Sequence, residues 1–345
     1  MRAYLAGTTV SKPKEQLTIQ KLFQKGSKLH SYFHCTNNGF EEDWFKMNIK
    51  NKVDLFLDSG AFSAWSKGVE IDIQEYIRFI KEHQDVINVY ANLDVIGNAE
   101  GTYKNQQIME KAGLSPLPVF HYGSPEKYLK RYLNKHSYIS LGGMVPISTS
   151  ALIPWLDYIF EQYITDSKGI PIVKVHGFGL TSLKLMLRFP WYSVDSTSWV
   201  TTGRMGSIYV PRFRNGQWIY DENSWKIAVS NRSPSIKETG QHIETLFPRQ
   251  KQIILDYVHD KGYKLGKSTF KKVPDSYKPK DGERWAEKKI QVKNGERLLE
   301  IIEEDGISNR YQLRDEMNII YFLDVEKSMP EWPWPFKVKR KGMGI

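Results

Sequence analysis

The sequence predicts an α/β protein: a (β/α)8 TIM barrel followed by a basic, mainly helical C-terminal extension. Three observations carry that expectation. Eight strand-like apolar runs alternate with amphipathic stretches through the first 200 residues, the pattern of βα units on a parallel sheet. Most of the runs lead into a carboxylate, an imidazole or a glycine pair, where a barrel places its chemistry. No Gly-x-Gly-x-x-Gly follows a strand, so the alternative, an open doubly wound sheet, lacks its dinucleotide fingerprint.

The strand-like runs are residues 2–6, 30–34, 53–57, 86–93, 117–120, 138–141, 172–175 and 191–194. Helical spacing of apolar residues marks 73–83, 100–112, 125–134, 152–165 and 181–188 between them. After the strands come Thr8, Cys35, Asp58, Asp94, His121, Gly142 with Gly143, His176 and Asp195. Each alone is explained as a helix cap or turn residue. As a ring they predict one shared pocket, because a carboxylate at a buried strand end is costly to desolvate without a partner or a task.

Beyond Asp195 the pattern changes. Residues 206–220 read as a hairpin turning on Asn215-Gly216. Residues 235–262 and 283–326 have helical character, and 261–280 hold seven lysines and one acid, as a solvated loop does. The aromatic, proline-rich stretch 330–336 reads as an extended arm. The expected domains are a catalytic barrel over 1–260 and the extension over 261–345.

Composition narrows the function classes. With 345 residues, 40% of them hydrophobic, the chain can bury a large core. The net charge is +10, and the excess is larger after residue 200, with 27 Lys and Arg against 20 Asp and Glu, than before it, with 22 against 19. A basic balance suits a polyanionic partner. One cysteine, Cys35, excludes an internal disulfide and a Cys-rich zinc site. No apolar run reaches membrane-spanning length and no signal-peptide core is present, so a cytoplasmic protein with no membrane contact is expected.

Carboxylates in a barrel mouth bind a divalent metal, cleave a glycosidic bond, or move protons beside a carbonyl. Neither a His-x-His nor a His-Glu-x-x-His pattern supports a metal. Glycosidic chemistry needs a nucleophile and an acid/base, for which Asp58 and Asp195 are available. Asp94 is then free to accept N–H groups of a purine leaving group.

The ordered motifs resemble the tRNA-guanine transglycosylase superfamily, and within it the DNA 7-deazaguanine transglycosylase-like proteins of phages and bacteria. Leu57-Asp-Ser-Gly-Ala-Phe62 is similar to that family's DSGG(F/Y), with Ala61 in place of the second glycine. Leu93-Asp94 matches its base-recognising strand end, and Val119-Phe-His-Tyr-Gly123 stands where it has a V-Q-G-G-like end. Ser140-Leu-Gly-Gly-Met144 is similar to its I-G-G-L, Val175-His-Gly-Phe-Gly179 to its G-x-G end, and Val194-Asp-Ser196 to the nucleophile's strand. The set spans 53–205.

The resemblance implies exchange of guanine in a polynucleotide for a 7-deazaguanine base. Asp195 is then the nucleophile and Asp58 the acid/base. Asp94, His121, Gly142, Gly143, His176, Ser59 and Phe62 bind the base, and no metal or other cofactor is needed. The departures are the missing zinc cysteines, the absence of a P-T-R run after Asp195, and no tRNA-binding module of the PUA kind. They favour DNA over tRNA as the polymer, with a host-cytoplasm setting if the chain is phage-encoded. Arg204, Arg212, Arg214, Lys264, Lys267, Lys271 and Lys272 are the expected phosphate contacts. Three alternatives stay open: the same chemistry on tRNA, an N-glycosidase or nucleoside hydrolase, and a non-catalytic nucleic-acid-binding barrel.

Overall fold

A computed structural model describes residues 1–180, 182–286 and 295–336. Position 181 and the parts of the expected extension at 287–294 and 337–345 lie outside the described residues. The chain forms two compact units, Met1–Ser198 with Phe322–Ile345, and Trp199–Tyr321. The units divide at Ser198, whereas the sequence suggested residue 260.

The first unit is built on one parallel eight-stranded sheet. Its strands are β1 (Arg2–Ala6), β2 (Ser27–Ser31), β3 (Asp54–Asp58), β4 (Val89–Tyr90), β5 (Val119–His121), β6 (Tyr138–Gly142), β7 (Lys174–Gly177) and β8 (Ser193–Ser196). Their order is β4-β3-β2-β1-β8-β7-β6-β5, so the first and last strands are neighbours, with Tyr4 opposite Asp195. The α/β class and the eight parallel strands agree with the sequence. A full barrel ladder is not formed: the edge strands β4 and β5 meet only through the parallel bridge Ala91↔Leu117. The reason lies just past Ala91. There the chain bonds to the helix Ala99–Lys111, through Asn92 Nδ2 to the Thr102 carbonyl at 2.8 Å and Asn105 Nδ2 to the Leu93 carbonyl at 2.9 Å. The strand expected over 86–93 is observed only over Val89–Tyr90.

Period-2 alternation sorts each strand's side chains onto two faces. On β1, Ala3 joins an outer cluster with Leu141, Val175, Trp191 and the helices that follow, while Tyr4 and Ala6 pack with Leu29, Phe56, Ala91 and Leu117. The helix Ile73–His83 starts at Asp72, whose carboxylate accepts the N–H of Gln74 at 2.6 Å and of Glu75 at 3.1 Å. The aromatic arm docks as expected: the Phe336 N–H bonds the Gly169 carbonyl at 2.7 Å, and its ring stacks on Phe189.

The second unit corrects the expectation of a helical extension. It holds β9 (Ser207–Val210), the hairpin β10 (Arg212–Arg214) and β11 (Gln217–Ile219), and β12 (Trp225–Ala228). The hairpin turns as expected on Asn215 and Gly216, both at positive φ. The lysine-rich stretch is no loop. It contains β13 (Lys267–Pro274), which pairs antiparallel with β15 (Glu296–Glu304), on whose other side lies β14 (Glu283–Trp285). Among the described residues of the stretch read as helical over 283–326, the α-helix begins at Tyr311, and within the stretch read over 235–262 the α-helix begins at Pro248. Lys267 pairs with Glu303 and Arg284 with Glu300 across these strands, and Glu296, Glu300 and Glu303, spaced four and three apart, read as a polar helical face when register is unknown.

Candidate functional site

The loops following β3 to β7 enclose a cavity of about 580 Å³. It is lined by seven residues the sequence singled out: Asp58, Ser59, Phe62, Asp94, His121, Gly142 and Gly143. Asp195 and His176, expected at the same mouth, do not line it. Both lie within strands rather than after them, because β7 and β8 each run two residues further than the sequence suggested. Asp195 is buried one hydrogen bond behind the lining, its Oδ1 accepting the N–H of Gly179 at 2.8 Å. His176 is fully buried and packs against Phe56 and Phe178, so it is not placed to stack on a ligand.

Asp58 ends β3 and turns the chain into the helix Ala61–Ser66. Its Oδ2 accepts the Gly60 N–H at 3.0 Å. Gly60 has φ 76°, and a Cβ there would lie 2.3 Å from Ser31 Oγ, so this turn requires glycine. Burial pushes the Asp58 carboxyl up to about 7, and the negative charges of Asp94 and Asp195 add to that; the N–H groups of Gly60 and Ser59 oppose it only in part. At neutral pH this group is poised both to give and to take a proton.

Asp94 Oδ2 lies 3.0 Å from His121 Nε2. Burial lowers the proton affinity of His121, but the Asp94 charge and hydrogen bond outweigh it and the imidazole is raised above its ordinary value. The other Asp94 oxygen, Oδ1, is buried and has no hydrogen-bond partner among the described residues. A buried acceptor left open beside a cavity is suited to a ligand N–H. Gly142 and Gly143 pack on the His121 ring; a Cβ on Gly142 would come within 3.1 Å of His121 Cδ2, and Gly143 sits at φ 69°. Their glycine character thus serves the histidine as well as any ligand.

Sequence reasoning did not single out Tyr122, Phe178 and Gly179 as lining residues or Ser193 and Tyr138 as supports. Ser193 was findable from strand period alone, since it precedes Asp195 by two and shares its face.

One trio among the described residues, His30, Cys35 and Glu41, brings metal-ligating atoms within 4.8 Å of one another. It is already wired. His30 Nδ1 lies 2.6 Å from Glu41 Oε1 and its Nε2 lies 2.9 Å from Asn48 Nδ2, so both nitrogens are engaged. The buried Lys28 ammonium adds its charge beside the trio, and burial drives His30 down to about 4. These residues fit a closed polar network better than a bound cation.

In the second unit, most of the expected phosphate contacts have partners of their own. Lys264 pairs with Glu304 and Lys267 with Glu303, each at 2.7 Å, and Lys271 approaches Glu283 at 3.6 Å. Arg214 bonds Glu222 at 2.8 Å, and Arg212 bonds the Asn223 carbonyl and lies over Trp225. Arg204 and Lys272 are exposed. Among the described residues no helix is long and apolar enough to cross a membrane.

No protein-family model, curated protein or solved structure matches this chain.

Proposed function

We propose that the chain is a pentosyltransferase that exchanges guanine in DNA for a 7-deazaguanine base through an aspartyl-glycosyl intermediate. The observation that carries this reading is the division of labour among three carboxylates, one on β3, one in the loop after β4 and one on β8. Asp58 is held near 7, Asp94 lines the cavity and keeps a buried oxygen without a hydrogen-bond partner among the described residues, and Asp195 stands one residue contact behind the lining. An acid held near neutrality, an unpartnered acceptor and a buried carboxylate suit the roles of acid/base, base recognition and nucleophile. In this reading the sheet is a (β/α)8 barrel with its seam at Ala91 and Leu117. The support is the inner cluster, which draws on β1, β2 and β3 as well as those two residues.

The Asp195 carboxylate attacks C1′ of the sugar; the bond from C1′ to guanine N9 breaks, and its electron pair leaves with the base. Protonated Asp58 gives its proton to the leaving base. The incoming base loses its N9 proton to the Asp58 carboxylate, N9 bonds C1′, and Asp195 is released. Asp94 Oδ1 accepts an N–H of the base, and His121 holds the other oxygen in place. Extrusion of the nucleotide from its stack is required for a base to enter the cavity.

DNA is the polymer we favour, on the motif resemblance and the basic excess after residue 200. The experiment is incubation with guanine-labelled duplex DNA and, in parallel, tRNA, each with and without a 7-deazaguanine base. Release of label from DNA that rises with the added base supports the reading. Release from tRNA alone moves the chemistry to the other polymer, and release to water without incorporation makes the protein a glycosidase.

A further inference from the structure

Behind Asp195 lies a chain of hydrogen bonds that the mechanism above does not use. Tyr138 on β6 places its hydroxyl 2.6 Å from Ser193 Oγ; Ser193 Oγ lies 2.8 Å from His176 Nδ1; and His176 Nε2 lies 3.2 Å from Asp195 Oδ1. Strand register makes this possible. His176 on β7 is directly opposite Ser193 on β8, and Asp195 follows two residues later on the same face.

The donors and acceptors fit one assignment. An ionised carboxylate only accepts, so His176 Nε2 must carry the ring proton. Nδ1 then accepts the Ser193 hydroxyl hydrogen, and Ser193 Oγ accepts that of Tyr138. The ring is enclosed by Tyr4, Phe56 and Phe178, apolar surroundings that favour the neutral imidazole. Two donors, the Gly179 N–H and His176 Nε2, converge on Oδ1 of Asp195, while no hydrogen bond among the described residues reaches Oδ2.

We propose that Tyr138, Ser193 and His176 are positioning residues: a one-way hydrogen-bond chain fixes the His176 tautomer and ties down Asp195 Oδ1, leaving Oδ2 as the attacking oxygen. The kinetic consequence rests on the transglycosylase reading; the bonding does not.

The test therefore has two independent readouts. Nitrogen NMR of the full chain with labelled histidine reads the tautomer. The wild type should show a proton-free Nδ1 and a protonated Nε2 at His176, and Ser193→Ala should show both tautomers. On labelled DNA, Ser193→Ala should lower kcat for exchange roughly 10- to 100-fold, the size usual for an outer partner that orients a functional group. KM for the incoming base should stay unchanged, and Tyr138→Phe should show a smaller loss in the same direction. A His176 protonated on Nδ1 in the wild type overturns the chain. A lost tautomer preference with unchanged kcat overturns the positioning role. If the wild type exchanges no base on any polynucleotide, the proposed activity fails, and the spectra still decide the chain. Should Ser193→Ala not fold, Tyr138→Phe carries both readouts.

Discussion

Charged groups are handled in opposite ways in the two units. In the first, the charges of Asp94 and Asp195 both act on Asp58, and among the described residues His121 meets Asp94 while His176 meets Asp195 behind the cavity lining. In and beside the three-stranded sheet of the second, Lys264, Lys267, Lys271, Arg284 and Arg297 each meet a carboxylate within that same unit. Paired charges of opposite sign across a sheet hold strands in register and leave little surplus field. Like charges gathered in a pocket are unfavourable for the fold and useful for proton transfer. The difference separates charge that maintains structure from charge available for chemistry, and it can be broken from either side.

The largest effect is expected at Asp195. Asp195→Asn is near-isosteric and far less nucleophilic, so single-turnover guanine release should fall by several orders of magnitude with the circular dichroism unchanged. Release at the wild-type rate would remove this residue from the chemistry.

Asp58 should trade stability against activity. Its folded value of about 7 stands above the 3.8 of the free side chain, so the folded state binds the proton more tightly than the unfolded state. The stability it contributes is fully present below pH about 4 and declines until the pH passes about 7, a loss of at most about 4 kcal/mol. Asp58→Asn removes that decline. In urea unfolding the variant should gain on the wild type between pH 4 and pH 8, while exchange is severely impaired. Parallel stability curves over that range would show that Asp58 is not strained.

The same group sets a pH limit on the first chemical step. Departure of guanine needs Asp58 protonated, so single-turnover release should decline as pH rises through about 7. A rate that rises steadily to pH 9 would assign the proton to another donor.

The smallest effects belong to the second unit. Replacing Lys264, Lys267 and Lys271 with Ser should leave the salt dependence of DNA affinity nearly unchanged, because glutamates already neutralise them. Replacing exposed Lys272 should lower the log–log slope by about 0.7 to 0.9 if it meets a phosphate. A large flattening in the triple variant would show that DNA displaces the glutamates.

What the sequence made legible follows the same division. Strand ends bearing Asp58 and His121 were readable, since each apolar run stops where a polar group begins. Strand β2 was misplaced toward 30–34 because Lys28 looks like surface, whereas its Nζ bonds the Gly7 carbonyl at 2.6 Å inside the core. His176 was read as pocket lining because the apolar run ends at Val175; the strand continues to Gly177, and the ring turns inward. Residues 267–274 and 296–304 were opaque because their order comes from cross-strand partners such as Lys267 and Glu303, which no local periodicity encodes.

The most direct test of the central claim is intact-mass analysis of the protein quenched during reaction with guanine-containing DNA. The account predicts a covalent adduct of one strand per chain, mapped by peptide digestion to Asp195 and formed in step with free guanine. Guanine release with no adduct at any quench time, or an adduct on another residue, would contradict it.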